Sequence, residues 1–308
     1  MNTNIGMTGE FRCVVKKSDG STKIDTGYQK NLILNQGLDF FGGETMGSNM
    51  MTYCVIGSGN SQPSYTQNKL DTAIKGVGGG DFSSKCDYDA SRDGNLYKTN
   101  KVRKYTFYGL NNVNVSEVGL ASAFSSSIDY YLCTRALIKD TQGVPTTITV
   151  LSGEVLEIYY KLWQVFDTTD KVGTINLLNG VGGSVAYNYS SKVVTNTDES
   201  INYFGDPAIF YNRYYGIYPS TEESTPSYSS PDTYQYSNYV NGSYKIVVTF
   251  HLGIGAANGN IRLMTIPSFS LWQIRFGSVA DDSPITKTST QTLSIPIEVS
   301  WGRYEGAL

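Results

Sequence analysis

Residues that could take part in catalysis are few in this chain and form no familiar group. The single histidine, His251, lies in an alternating apolar stretch, opposite in parity to Phe250 and Leu252. No Asp or Ser stands beside it in a recognisable motif, and the chain has no G-x-S-x-G nucleophile elbow. The pattern predicts a structural or surface histidine.

Carboxylates are the other candidates for catalytic chemistry. Glu222 and Glu223 fall in the turn-rich stretch 219–233, which is typical of solvated side chains. A carboxylate pair for glycoside cleavage depends on a separation that only the fold sets, so this alternative stays open among the 27 acids. With no poised acid, base or nucleophile in a motif, we predict that the chain is not an enzyme.

Patterns for ions and cofactors are incomplete. The stretch Asp87, Asp89, Ser91, Asp93 places oxygen atoms at alternate positions, as calcium loops do. Arg92 stands where such a loop needs glycine and Lys98 where it needs glutamate, which excludes an EF-hand and leaves an irregular calcium site as an alternative. The glycine clusters 76–81, 180–183 and 253–259 miss the G-x-G-x-x-G spacing and predict turns or loops. We predict no cofactor and no metal.

The cysteines argue against zinc in the same way. They form no Cys-x-x-Cys pair, and only one histidine is available to complete a tetrahedral site. We expect reduced, mostly buried thiols, with a disulfide formed after release from a cell as the alternative. The four residues are Cys13, Cys54, Cys86 and Cys133.

Charge and hydropathy exclude two classes of partner. The formal net charge is −3 and the pI is near 5.3, so the chain lacks the basic surface that neutralises nucleic-acid phosphates. No apolar run approaches the length of a membrane span, and the first residues lack a charged region followed by an apolar stretch. We expect a soluble protein made in the cytoplasm, with no nucleic-acid partner and no membrane insertion.

Composition and periodicity predict an all-β fold. Tyrosine (24) and glycine (32) are abundant while charged residues make up 17%, against a typical value of about 25%. An Asp-Gly turn predicts a hairpin of 11–16 with 22–26, and Asn35 could cap a short helix through Phe41. The alternation over 155–165 is the clearest strand pattern. The prediction is one or two antiparallel β-sandwich-like domains with one short helix near the N-terminus and long loops.

Other segments give weaker indications of structure. We expect 75–95 to be a loop, 168–244 to contain few regular strands, and the strand carrying Pro296 to lie at a sheet edge, because proline cannot donate to a ladder. The size of the chain predicts a first domain over 1–166 and a second β-rich part over 167–308 with a tyrosine-rich loop region at 203–244, or one unit formed by both.

Several short motifs occur in a fixed order along the first half of the chain. The first half contains the hairpin, then NLILNQGLDFF, YCVIGSGNSQPS, VSEVGL, TRALIKD and ITVLSGEVLEIYYKL, over about residues 9–165. This order resembles a recurrent pattern in tail and tail-fibre-associated proteins of tailed bacteriophages, and the closing IEVSWGRY fits the way such chains end. The resemblance implies a structural role in the particle and brings no catalytic residues. It does not cover 168–243.

The tyrosine-rich region is the strongest surface signal. Tyrosine provides large contact area at low entropic cost and combines with Ser, Gly and Asn in adaptable binding surfaces. The predicted contact residues are Tyr211, Tyr214, Tyr215, Tyr218, Tyr228, Tyr234, Tyr236 and Tyr239.

Two uses fit that surface. The first is packing in the virion, against other copies of the chain and other tail proteins, as a fibre-attachment, collar or sheath-like component assembled in the host cytoplasm. The second is lectin-like binding of host surface polysaccharide. A depolymerase is disfavoured because no β-helix repeat is visible and the chain is short.

Overall fold

The chain folds as an all-β protein with one short helix in the described segments. The computed structural model describes residues 1–42, 50–79, 86–179, 183–193, 216–220, 232–266 and 272–308. The helix is α1 (Asn35–Gly42). The strands up to residue 137 are β1 (Asn2–Lys16), β2 (Thr22–Asp25), β3 (Gln29–Ile33), β4 (Tyr53–Gly57), β5 (Ala73–Gly78), β6 (Cys86–Asp93), β7 (Leu96–Phe107), β8 (Val113–Val115), β9 (Glu117–Phe124), β10 (Tyr130–Leu132) and β11 (Thr134–Leu137).

The remaining strands follow from residue 148 onward. They are β12 (Ile148–Val150), β13 (Val155–Asp167), β14 (Lys171–Asn179), β15 (Gly183–Val193), β16 (Gly216–Tyr218), β17 (Thr233–Tyr236), β18 (Lys245–Leu252), β19 (Gly259–Ile261), β20 (Leu263–Ile266), β21 (Trp272–Ser278), β22 (Ile285–Lys287) and β23 (Leu293–Arg303). The antiparallel β-sandwich-like prediction is confirmed, and among the described strands one pair, β1 with β23, is parallel.

Strand β1 is where the main sheet of 14 strands forks. One edge of β1 pairs with β13 from Ile5 to Lys16, and β13 continues to β7 and β6. The other edge is shared in turn by β23, β3 and β2. Through β23 the sheet reaches β18 and β17, and through β3 it reaches β11, β9, β4 and β5. The long alternating sequence of β1 therefore anchors both arms.

The core lies between these arms. On β1 the inward side chains of Ile5, Met7 and Phe11 are fully buried, as alternation of a half-buried strand requires. They join one cluster with apolar residues of β4, β9, β13, β18 and β23. Both arms therefore share a continuous core.

The predicted hairpin and helix are confirmed. Strands β1 and β2 pair antiparallel, and Gly20 takes the positive φ (82°) that the turn needs. The helix α1 begins at Asn35, but the capping role of this residue stays a prediction, because its Oδ1 accepts a hydrogen bond from Arg303 NH2 at 2.7 Å.

Three local predictions were wrong. Residues 75–95 contain most of β5 and all of β6, and 168–244 contains the long strands β14 and β15 as well as β16 and β17. These polar, glycine-rich sequences form strands because their backbones pair with neighbouring strands. Such pairing cannot be predicted from the periodicity of the side chains. Strand β23 is not an edge strand, since β18 and β1 flank it; β1 joins only from Glu298, beyond Pro296.

The division at residue 166 stays a prediction. Strands β18 and β23 of the second part belong to the same hydrogen-bonded main sheet as β1 and β13 of the first. A separate five-stranded sheet, in the order β14-β15-β21-β20-β16, is built wholly from the second part.

Gly37 offers a test of the packing of α1. Alanine normally stabilises a helix interior by about 1 kcal/mol relative to glycine. Here a Cβ on Gly37 would lie 2.2 Å from the Cys133 carbonyl oxygen, which belongs to the backbone and cannot turn aside. We expect Gly37→Ala to destabilise the protein by about 1–3 kcal/mol in urea unfolding.

Gly302→Ala is the matched control for that substitution. A Cβ there would meet nothing within 4 Å, so its free energy of unfolding should stay within about 0.5 kcal/mol of the parent. Stabilisation by Gly37→Ala would contradict the close packing of α1 against Cys133.

Candidate functional site

A buried ion pair joins two of the sequence motifs. Glu117 opens the EVGL strand β9 and Arg135 lies in the TRAL strand β11, and both side chains are 0% exposed. Arg135 Nε donates to Glu117 Oε2 at 2.9 Å, and its NH2 group lies 2.8 Å from the same oxygen. A charge buried away from water is costly unless an opposite charge lies close to it. The EVGL and TRAL motifs therefore depend on each other.

Glu117 also holds the loop that follows β4. Its Oε1 accepts hydrogen bonds from the backbone N–H groups of Gly59 (2.9 Å) and Thr72 (3.0 Å), and its Oε2 accepts one from Asp71 (3.2 Å). These bonds connect the start and the end of the loop 58–72 to one carboxylate. The position of the loop 58–72 is therefore fixed by Glu117, which belongs to the main sheet.

Asp71 extends the network to the outside. Its Oδ2 lies 2.7 Å from Arg135 NH2, and its two oxygens accept from the Ser61 hydroxyl (2.7 Å) and backbone N–H (2.8 Å). Burial alone would raise the pKa of Asp71, but hydrogen bonds from Ser61 and the charge of Arg135 lower it below its ordinary value. The carboxylate therefore stays ionised and paired.

The glycine spacing of GSGN has a packing cause. A Cβ on Gly57 would lie 2.6 Å from Glu117 Oε1, and one on Gly59 only 2.4 Å from it. The carboxylate occupies the space that two side chains would fill. We call Glu117, Arg135, Asp71, Ser61, Gly57 and Gly59 the loop-anchoring network.

This network is suited to structure rather than catalysis. Its carboxylate and guanidinium are buried and paired, so they have no access to a substrate. The motifs are visible in the sequence, but no role was predicted for Glu117 or Arg135. A charged residue inside each of two apolar strands was the available signal, because such charges are rarely buried unless paired.

A second set of contacts ties the closing motif to the helix. Trp301 Nε1 donates to the Leu38 carbonyl at 2.8 Å, and its ring packs on Phe41 (5.3 Å between centroids) and Tyr239 (5.7 Å). Tyr239 OH donates to Asp39 Oδ1 at 2.6 Å. Burial, and then this bond to a carboxylate, raise the pKa of the Tyr239 hydroxyl. Tyr239 thus belongs to the framework.

The other predicted tyrosines that the structure describes are dispersed. Tyr234 and Tyr236 lie on β17 at the end of the main sheet, with their rings edge to face at 5.5 Å, and Tyr234 is 37% exposed. Tyr218 lies on β16 of the five-stranded sheet. Tyr211, Tyr214, Tyr215 and Tyr228 lie outside the described residues, as do Glu222 and Glu223.

His251 and the acidic stretch give no constellation in the described structure. His251 Nδ1 lies 2.8 Å from Ser294 Oγ on the neighbouring strand, which fits a half-buried structural role. Asp93 pairs with Lys98 Nζ at 2.9 Å, while the side chains of Asp87 and Asp89 lie outside the described residues. Among the side chains that the structure describes, no three His, Cys, Asp or Glu residues gather as a metal site would require.

The thiols are buried where the structure describes them. Cys13, Cys54 and Cys133 are free and enclosed in the core. Burial raises the pKa of Cys13 and Cys133 to about 12 and holds that of Cys54 well above its usual value. They stay protonated and unreactive at neutral pH. The side chain of Cys86 lies outside the described residues.

Neither a search for membrane helices nor comparison with known proteins identifies the chain. Over the described ranges, no helix has the length and apolar character needed to cross a bilayer. No protein-family model matches the chain, and the curated proteins and the solved structures give no match either.

Proposed function

We propose that this chain is a structural component of a bacteriophage virion, associated with the tail and acting through protein–protein contacts. The observation that carries the proposal is the loop-anchoring network, in which three of the ordered motifs of the phage-like pattern meet. Glu117, Arg135 and the glycines of GSGN act together to hold a loop, and none of them is placed for chemistry. Motifs of this kind support a scaffold role.

The proposed partners are other copies of the chain and other tail proteins. The loop 58–72 presents mainly polar side chains and Tyr65, which is 43% exposed and stacks on the Arg303 guanidinium at 3.9 Å. A rigid loop loses little conformational entropy on binding, which favours contacts between subunits. A fibre-attachment, collar or sheath-like position would use such preorganised surfaces.

The test is the content and architecture of purified particles of the phage that encodes the chain. Mass spectrometry should find the chain in virions at a fixed ratio to the other tail proteins, and a cryo-EM map should place it in the tail. Absence from virions, together with a purified chain that stays monomeric and binds no particle protein, would overturn the proposal.

The second candidate is host receptor binding by the tyrosine region. It is favoured by Tyr234 and Tyr236, which form an aromatic pair on a terminal strand of the main sheet. If they contact the receptor, the double substitution Tyr234→Ala with Tyr236→Ala should abolish adsorption and leave particle assembly intact. Loss of assembly would favour the first candidate. Tyr239 is left unchanged in this test because it supports Trp301.

A further inference from the structure

A polar trough crosses one face of the five-stranded sheet. It consists of adjoining cavities of about 420 Å³ and about 130 Å³ that share Ser190 and Arg275. The opposite face carries Ile274 and Phe276, which are fully buried in the core. The trough therefore lies on the outer face, and its volume is in the range of small-molecule sites.

The strand register brings five side chains into one row across this face. Val172 is opposite Ser190, Ser190 is opposite Arg275, Arg275 is opposite Leu263, and Leu263 is opposite Tyr218. Directly opposed residues of neighbouring strands point to the same face of a sheet. The row links the predicted contact residue Tyr218 to the trough, about 10 Å from Arg275 at the usual strand spacing.

The ring of Tyr218 lies over a glycine. A Cβ on Gly216 would be 2.5 Å from Tyr218 Cε2 and 2.6 Å from its hydroxyl oxygen. Only a residue without a side chain leaves room for the ring to lie along the backbone of the sheet. The ring is half-buried, so part of it stays open to solvent, where an apolar face of a ligand can stack.

The rest of the trough supplies hydrogen bonds and positive charge. Thr174, Asn188 and Ser190 contribute hydroxyl and amide groups to its floor. Arg275 NH2 lies 2.7 Å from Asp282 Oδ2, and this oxygen also lies 2.6 Å from Arg262 NH2, so two arginines surround one carboxylate. Asp170 lines the smaller cavity together with Lys192, so three cations and two anions lie in and beside the trough, a net charge of +1.

The ends of the trough set its length. Lys192 lies exposed in the smaller cavity, four residues along β15 from Asn188. Four residues of a strand span about 13 Å, long enough for two or three linked sugar rings. Such rings combine an apolar face for stacking with hydroxyl groups at the edge, and a carboxylate would meet Lys192 and Arg275.

We propose that the trough binds a short oligosaccharide that carries carboxylate groups, with one sugar ring stacked on Tyr218 and a carboxylate held by Arg275 and Lys192. This site is separate from Tyr234 and Tyr236 on β17, and it does not depend on the virion role proposed above.

The test is an isothermal titration calorimetry experiment in which trigalacturonic acid is added to the full chain. The parent should bind this acidic trisaccharide and bind the neutral maltotriose at least about tenfold more weakly. Tyr218→Ala should weaken binding of the acidic probe about tenfold or more, whereas Tyr218→Phe should keep it within about threefold because the ring remains. Lys192→Gln should weaken binding several-fold and reduce its dependence on salt.

Two variants remove similar groups elsewhere and serve as controls. Tyr108→Ala removes a 66% exposed tyrosine that directly follows β7, and Lys245→Gln removes one exposed charge from β18. Both should bind the probe as the parent does. The proposal is overturned if trigalacturonic acid does not bind at millimolar concentration, if maltotriose binds equally well, or if a folded Tyr218→Ala variant keeps full affinity. These outcomes leave the presence of the chain in virions unaffected.

Discussion

Replacing Arg135 with methionine should lower the free energy of unfolding by about 3–5 kcal/mol. The substitution keeps an unbranched side chain of similar length but leaves Glu117 as an uncompensated charge at 0% exposure. Asp71 loses its ion pair as well. Chemical denaturation at neutral pH measures the loss, and protection of the loop 58–72 from hydrogen exchange should fall with it.

The double variant Arg135→Met with Glu117→Gln separates charge from packing. Once neither side chain is charged, part of the stability should return, because the glutamine oxygen can still accept from the backbone N–H groups of Gly59 and Thr72. Lys245→Met breaks an exposed pair with Glu298 and should cost at most about 1 kcal/mol. Equal losses for Arg135→Met and Lys245→Met would contradict the buried network.

Trp301→Ala should cost about 3–5 kcal/mol of unfolding free energy. Its ring is 3% exposed, packs between Phe41 and Tyr239, and donates a hydrogen bond to Leu38. The substitution leaves a cavity where β23 meets α1. Thermal and urea unfolding measure the loss, and near-UV circular dichroism should report the loosened tyrosine and phenylalanine rings.

Trp163→Ala is the internal control for that experiment. Trp163 lies on the outer face of β13, is only partly buried, and donates one hydrogen bond to Glu10 at 3.0 Å. Removing it leaves no enclosed cavity, so the loss should be about 1 kcal/mol. A similar cost for both tryptophans would show that Trp301 is not central to the core.

The parts of the fold that could be predicted from sequence were those with local causes. The hairpin depends on an Asp-Gly turn, α1 on a short apolar face between turn signals, and β13 on strict alternation. Strands β14 and β15 could not be predicted, because their polar and small residues are strands only through pairing with each other and with β21. The place of β23 between β18 and β1 depends on a partner almost 300 residues away.

The candidate site shows the same limit. Tyrosine content drew attention to residues after 203, and two of these tyrosines that the structure describes have different roles: Tyr239 supports the core and Tyr218 lies over Gly216. Glu117 and Arg135 belong to motifs whose order was visible. Their contact could not be predicted, since it requires the fold to bring β9 and β11 side by side.

The parallel pairing of β1 with β23 also governs the order in which the molecule can form. Asn2 pairs with Glu298, so this edge of the main sheet must wait until residues beyond 298 have left the ribosome. Contacts so distant in sequence form slowly, because a long loop closes before they contribute any stability. Until then the first residues of β1 expose an unpaired strand edge, the type of surface on which folding intermediates aggregate. Yield on expression should therefore depend on temperature and synthesis rate more than the stability of the finished protein would indicate.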